Sequence, residues 1–167
     1  MKEFVVISGK AGTGKTSLTA SLADLAGKDA VVVDRHVDAA NMHLLLDADH
    51  EDGHDFYSGK LAVIDQDKCI SCGICHEHCH FGAIEIHKDK FSVNPLRCEG
   101  CGLCARLCPE KAIREEDMLS GKYYISEVKT GSRMVHARLA IGASNSGKLV
   151  ARVKNLAREE AERSGKE

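Results

Sequence analysis

The chain has 167 residues and a mass of 18.1 kDa, enough for one ordinary domain or for a small domain set into part of a larger one. Lys+Arg of 23 against Asp+Glu of 25 leaves a net charge of -2, without the basic footprint of a dedicated nucleic-acid binder, and no apolar run approaches the ~20 residues that span a bilayer. With no signal-peptide pattern either, the expected location is cytoplasmic, where thiols stay reduced and the eight cysteines read as metal ligands rather than disulfides.

In chain order, "EFVVIS" (3–8) is a short β-branched run that predicts a strand, "SGKAGTGKTS" (8–17) a glycine loop, and "TSLTASLADLAG" (16–27) a helix with apolar residues at Leu18, Leu22 and Leu25 before Gly27. "AVVVDRHVD" (30–38) predicts a second strand, buried on both faces of a parallel sheet, so the opening reads as a βαβ unit. The stretch 46–60, "LDADHEDGHDFYSGK", breaks all periodicity and reads as a solvated acidic linker. His50 and His54 with the nearby carboxylates are the alternative there, as a loose metal site.

From 69 to 113 the chain repeats itself with an offset of 29 residues: "CISCGICHEHCHFGAI" (69–84) and "CEGCGLCARLCPEKAI" (98–113) agree at every cysteine and at the closing "AI". The spacing C-x2-C-x2-C-x3-C puts three thiolates on a tight turn around three corners of a cubane, while the displaced fourth serves the other cluster. Cys69, Cys72, Cys75 and Cys108 are therefore assigned to one [4Fe-4S] cluster, and Cys98, Cys101, Cys104 and Cys79 to a second. The competing chemistry, paired zinc sites, prefers separated C-x2-C pairs to runs of four. Over about residues 60–118 the pattern resembles the bacterial two-cluster ferredoxin, except that His80 stands where that family usually has proline. His76, His78 and His80 thus lie near the cysteines, either as exposed helix residues or as groups that couple a cluster potential to pH.

After Gly121, "KYYISEV" and "MVHARLAIG" read as strands, and 146–165 as a terminal amphipathic helix with Leu149, Val150, Val153, Leu156 and Ala157 on one face. Net charge runs -4, -3 and +5 over residues 1–60, 61–118 and 119–167, so the last segment suits either an acidic partner or a solvated helix face. "GASNSGKL" (142–149) imitates a phosphate loop but has Leu149 where a Mg²⁺-binding hydroxyl belongs. A helix-capping turn with Ser144 to Ser146 as cap candidates is the preferred reading.

Gly9, Gly14, Lys15 and Thr16 satisfy G-x-x-x-x-G-K-[ST] between a strand and a helix. In that setting the backbone of Gly9, Lys10, Ala11, Gly12, Thr13 and Gly14 cradles phosphates, with Ser17 closing the loop. Lys15 reaches the β/γ oxygens of ATP, and the Thr16 hydroxyl binds Mg²⁺. "GKAGTGKT" resembles the deviant phosphate loop of the MinD, ParA and nitrogenase iron-protein group. That resemblance implies a homodimer in which Lys10 reaches the partner's nucleotide. The whole layout, "VHARLAIGASNSGKLV" included, is similar to MinD-superfamily ATPases with an inserted ferredoxin domain. It implies an α/β fold: an incomplete P-loop NTPase-type parallel sheet carrying an inserted α+β two-cluster ferredoxin-like domain. The expected boundaries are 1–58 for the first part of the P-loop domain, 59–118 for the ferredoxin insert and 119–167 for the continuation.

Two departures from the family bear on hydrolysis. Its D-x-D is here "DRH", with His36 at the place of the second carboxylate after Asp34 and Asp38 two residues later as the candidate catalytic substitute. Nothing after Leu156 resembles the family's apolar strand ending in a Mg²⁺-supporting Asp, so the chain reads as the N-terminal part of a longer member, with ATPase activity expected only where the missing half is supplied. The functional expectation is an ATP-binding iron–sulfur protein that couples nucleotide state to electron delivery to a redox partner protein. The alternatives are a plain electron carrier with a non-hydrolysing nucleotide domain, or an iron–sulfur cluster carrier.

Overall fold

The computed structural model describes residues 2–49, 53–143 and 146–165. The elements are α1 (Lys15–Ala26), β1 (Val31–Val33), α2 (Met42–Leu45), β2 (His54–Ile64), α3 (Ile74–Glu77), β3 (Ile84–His87), β4 (Lys90–Val93), α4 (Leu103–Leu107), β5 (Ile113–Glu127), β6 (Arg133–Leu139) and α5 (Ser146–Arg163). They form a four-stranded sheet in the order β1-β6-β5-β2 and a two-stranded one, β3-β4. Two compact units result: residues 1–56, 121–139 and 146–167, and residues 57–120 with 140–145.

In the first unit β1 pairs parallel with β6, Val31 opposite Arg133 and Val33 opposite Val135, whereas β5 and β6 pair antiparallel from Gly121–Leu139 to Glu127–Arg133. The sheet is therefore mixed. The two-residue alternation of strands sends Val32 and Met134 to one face, where they pack with Ala23, Met42, Leu46, Ala48 and Val128. It sends Val31, Val33, Val135 and Ala137 to the other, against Leu149, Val153, Leu156 and Ala157 of α5. Leu149, the residue that spoils the imitation phosphate loop, is fully buried there. Of the cap candidates, Ser146 opens α5, and Ser144 lies outside the described residues together with Asn145. Glu160 on α5 is buried with Arg133 at 3.4 Å and Arg163 at 2.8 Å.

Three sequence expectations change here. Residues 3–8 form no strand: Phe4, Val5 and Ile7 are 85%, 57% and 82% exposed, because no neighbouring strand among the described residues pairs with them, and an apolar run has no strand geometry without a partner. Helix α1 forms, but it turns Ala20 and Ala23 to the core and leaves Leu18, Leu22 and Leu25 outside. The linker 46–60 ends early, since β2 begins at His54, whose ring stacks 5.0 Å from Tyr123 of β5. His50 lies outside the described residues. No group of three or more His, Cys, Asp or Glu arranged for a single metal ion occurs among the described residues.

The second unit is built on the 29-residue repeat. Asp65 and Asn94 each close an Asx turn, accepting through Oδ1 from the N–H of Asp67 (3.1 Å) and Leu96 (3.0 Å). The carbonyls of the same two residues take the N–H of Cys69 (3.0 Å) and Cys98 (3.1 Å). Their own N–H groups cross over to Ala112 and Ala83, at 2.7 Å each. Ala83, Ile84, Ala112 and Ile113, the two "AI" pairs, are buried with Ala62 and Phe91. No helix among the described residues is long and apolar enough to cross a membrane.

Candidate functional site

Each cysteine motif opens on a loop and ends in a short helix. Gly73 (φ 81°) and Gly102 (φ 72°) precede α3 and α4 in the left-handed region, a turn that reverses the chain between the second and third cysteine of each motif. The consequence is two clefts. One, of about 360 Å³, is lined by Cys69, Cys72, Cys75 and Cys108; the other, of about 400 Å³, by Cys79, Cys98, Cys101 and Cys104. Three cysteines from one half and the displaced fourth from the other meet in each. Ile64, Ile74, Phe91 and Ile113 wall the first cleft, and Ala62, Ile84, Val93 and Leu103 the second, so both have apolar linings.

The thiols differ in their surroundings. Cys72 and Cys101 are exposed, and the other six are partly buried. Burial pushes the Cys75 and Cys104 thiols up from their ordinary range, opposed by the backbone N–H of His76 and of Ala105 respectively. A metal centre must displace those protons to bind the thiolates. The fourth cysteines receive a matched stabilisation: Ala83 N–H donates to Cys79 Sγ and Ala112 N–H to Cys108 Sγ, both at 3.3 Å. Such N–H···S bonds tune the potential of a cluster bound through these sulfurs. They also give the repeated alanines a reason that spacing alone did not supply. Asp65 and Asn94 escape a search for ligands too, although the repeat extended four residues upstream of each motif places an Asx at both positions.

The donor set fits a cubane in each cleft: four cysteine sulfurs, an apolar wall and an amide aimed at a ligand sulfur. Beside the clefts, His76 Nδ1 lies 2.6 Å from Ile84 O and His78 Nδ1 3.0 Å from Ile74 O, so both rings bond to backbone, while His80 is exposed. Residues 62–115 match the family described as "4Fe-4S dicluster domain". They are a 4Fe-4S dicluster ferredoxin domain. The match favours iron–sulfur clusters over the zinc alternative.

The chain is 37% identical over 158 residues to an uncharacterized protein of Methanocaldococcus jannaschii, a match covering 93% of this chain and 55% of that protein. Over 52 residues it is 40% identical to the delta subunit of an NADH-dependent phenylglyoxylate dehydrogenase of Aromatoleum evansii, covering 31% of this chain and 56% of the subunit. Over 53 residues it is 42% identical to pyruvate synthase subunit PorD of Methanothermobacter marburgensis, covering 32% and 62%. The chain thus spans little more than half the length of these curated relatives.

In the first unit the glycine loop curls around one carbonyl. Ser8 Oγ donates to Lys10 O at 2.8 Å, Thr13 Oγ1 donates to the same oxygen at 3.2 Å, and Lys15 Nζ donates to Ser8 Oγ at 2.8 Å. Gly12 (φ 74°) and Gly14 (φ 82°) are left-handed, and α1 starts at Lys15. Residues Gly9, Lys10, Ala11, Gly12, Thr13 and Gly14 are exposed, as is Ser17, with Lys15 and Thr16 partly buried. Asp34 is buried and accepts from the N–H of His36 (3.0 Å) and of Met42 (3.3 Å), which makes it the brace of the 34–42 loop; Asp38 is exposed on that loop.

Proposed function

We propose that this chain is an electron carrier with two [4Fe-4S] clusters, one held by Cys69, Cys72, Cys75 and Cys108 and the other by Cys98, Cys101, Cys104 and Cys79. The observation that carries it is the sorting of the eight cysteines into two clefts in this three-plus-one pattern. A bound cubane supplies a one-electron couple. The protein's own part is to hold the thiolates, to keep water off the inner face with Phe91, Ile64 and Ile84, and to donate N–H···S bonds from Ala83 and Ala112. Exposed Cys72 and Cys101 mark where electrons leave or enter. The redox partner is an oxidoreductase protein, by likeness to relatives that are named as subunits of such enzymes.

Iron counting and reductive titration of anaerobically purified protein test this reading. About eight irons per chain and two one-electron steps are expected. Tightly bound zinc in place of iron, or a single cluster, would defeat it.

A second reading concerns the glycine loop. Its two left-handed glycines, the start of α1 at Lys15 and the exposure of residues 9–14 support a nucleotide phosphate at Gly9–Ser17, with Thr16 as the Mg²⁺ ligand. Calorimetry with Mg-ATP, with Lys15→Ala as the control, tests it: binding abolished by the substitution is the expected result, and no heat from the unaltered chain refutes it. Nucleotide-linked electron transfer, dimerisation through Lys10 and hydrolysis assisted by Asp38 depend on that binding and follow only after it.

A further inference from the structure

The 29-residue repeat gives each residue of one cysteine motif a counterpart in the other, and the counterparts are not alike in charge. Each cleft has one carboxylate residue in its lining, Glu110 in the first and Glu99 in the second, so these offset each other. A larger difference lies around the peptide between Cys101 and Gly102, both of which line the second cleft. Arg106 Nη2, on α4, donates to the Cys101 carbonyl at 2.8 Å, and Glu115 Oε1, on β5, lies 2.6 Å from the point where a side chain on Gly102 would begin. A guanidinium and a carboxylate thus flank one exposed cysteine. Among the described residues no ion pair joins the two, and Lys60, which lies within the field of Glu115, has its Nζ bound to Asp117 at 2.6 Å. In the first motif the counterparts of Arg106 and Glu115 are Glu77 and Ile86, and a side chain on Gly73, the counterpart of Gly102, would meet Phe91 Cζ at 3.8 Å instead.

We propose that Arg106 and Glu115 are tuning residues for the cluster of the second cleft alone, with opposite signs: the guanidinium on the Cys101 carbonyl raises its reduction potential, and the carboxylate over Gly102 lowers it. Adding an electron to a cluster adds negative charge, which a nearby cation favours and a nearby anion opposes, and net local charge is one of the properties that set a cubane's potential. The cluster of the first cleft, with a carboxylate and an isoleucine at the equivalent positions, has no such pair. Both side chains are exposed, so solvent and salt weaken their fields and make the shifts depend on ionic strength. Their place beside exposed Cys101 means that the pair sets the driving force at one of the two points of electron entry and exit and not at the other. This proposal rests on the electron-carrier reading.

The test is spectroelectrochemical titration of the anaerobically purified full chain, at low and at high salt, after its iron has been counted. Glu115→Gln is expected to raise one of the two potentials and Arg106→Gln to lower the same one. Each changes the ratio of reduced to oxidised cluster at a fixed applied potential by at least about threefold, which is about 28 mV for a one-electron couple at about 59 mV per tenfold. The other potential stays where it was, Arg106→Lys, which keeps the charge, leaves both near their unaltered values, and the shifts shrink as salt rises. Cys101→Ser identifies the moving couple, because it alters or abolishes the signal of the second cleft and spares that of the first. Residues that only steadied the loop would not give shifts of opposite sign. Where Arg106→Gln fails to hold two clusters, Glu115→Gln still decides, since its rise in one potential is required. Four results overturn the proposal and leave the carrier reading intact: two clusters with no shift from Glu115→Gln, both glutamine variants moving the potential in the same direction, both couples moving alike, or a shifted couple that Cys101→Ser leaves untouched. An unaltered chain that holds fewer than two clusters defeats the carrier reading itself, and the proposal with it.

Discussion

The two halves of the dicluster domain are not interchangeable at one position, and Gly100→Ala exposes the difference. Gly100 lies between Cys98 and Cys101 with φ 63°. A Cβ there would run into the backbone of Lys60: its carbonyl carbon is 2.9 Å away, its nitrogen 3.0 Å, and the carbonyl oxygen closer still. These are strand atoms of β2, so they cannot swing aside as a side-chain tip could. A left-handed non-glycine residue costs ~1–2 kcal/mol and overpacking against a rigid neighbour a further ~1–3 kcal/mol. Together, ~2–5 kcal/mol is a large share of a typical domain stability of ~5–15 kcal/mol. The repeat equivalent, Ser71, is also left-handed (φ 55°), yet it has a side chain, and its Oγ donates to Asp89 O at 2.9 Å. Ser71→Gly loses that bond, worth ~0.5–1.5 kcal/mol, and relieves a strain of similar size, so it is expected to be nearly neutral. The assay is iron content and thermal unfolding of anaerobically prepared protein. Gly100→Ala is expected to displace Cys98 and Cys101 and to drop the iron count to about half, with Ser71→Gly unchanged. A Gly100→Ala protein with full iron and an unaltered melting temperature would refute the packing analysis.

Cys79→Ser combined with Cys98→Ser is expected to remove one cluster, whereas Cys79→Ser with Cys69→Ser removes both; iron counts that follow the sequence motifs instead would reverse the three-plus-one assignment. Removing iron with a chelator should loosen residues 57–120, because folding of such a small unit is tied to its metal; circular dichroism and hydrogen exchange in that range report it, and native-like protection without iron would contradict it. Leu149→Ala empties a fully buried position against Val135 and Val153 and should cost ~2–5 kcal/mol on denaturant unfolding of the first unit. A loss below ~1 kcal/mol would mean the site collapses freely. Glu160→Gln leaves Arg133 facing a neutral amide in a mostly buried position and should destabilise by ~1–3 kcal/mol, less at high salt, which a melt at two ionic strengths measures.

The dicluster domain was legible because its signal is local and doubled: two runs of four cysteines recur at one spacing, 29 residues apart, and residues 62–115 match a 4Fe-4S dicluster domain. Helix α5 was legible for a similar reason, its apolar stripe being long enough to declare a period. What stayed hidden depends on partners far along the chain. The His54 end of β2 reads as a linker because its own residues are polar, and its strand geometry comes from β5, some sixty residues later, where Ser120 donates to the Ser58 carbonyl at 2.5 Å and Asp117 pairs with Lys60 at 2.6 Å. Residues 3–8 fail in the opposite direction. Their composition asks for a strand as plainly as any stretch in the chain, but a strand is a relation between two segments, and the second is missing from the described fold. Leu18, Leu22 and Leu25 repeat the point on α1: periodicity identifies the helix correctly, while the alanines, which permit close approach, decide which face meets Val32 and Met134. Apolar pattern therefore marks surface that must be buried somewhere, and in the first unit the pattern exceeds what these residues bury among themselves.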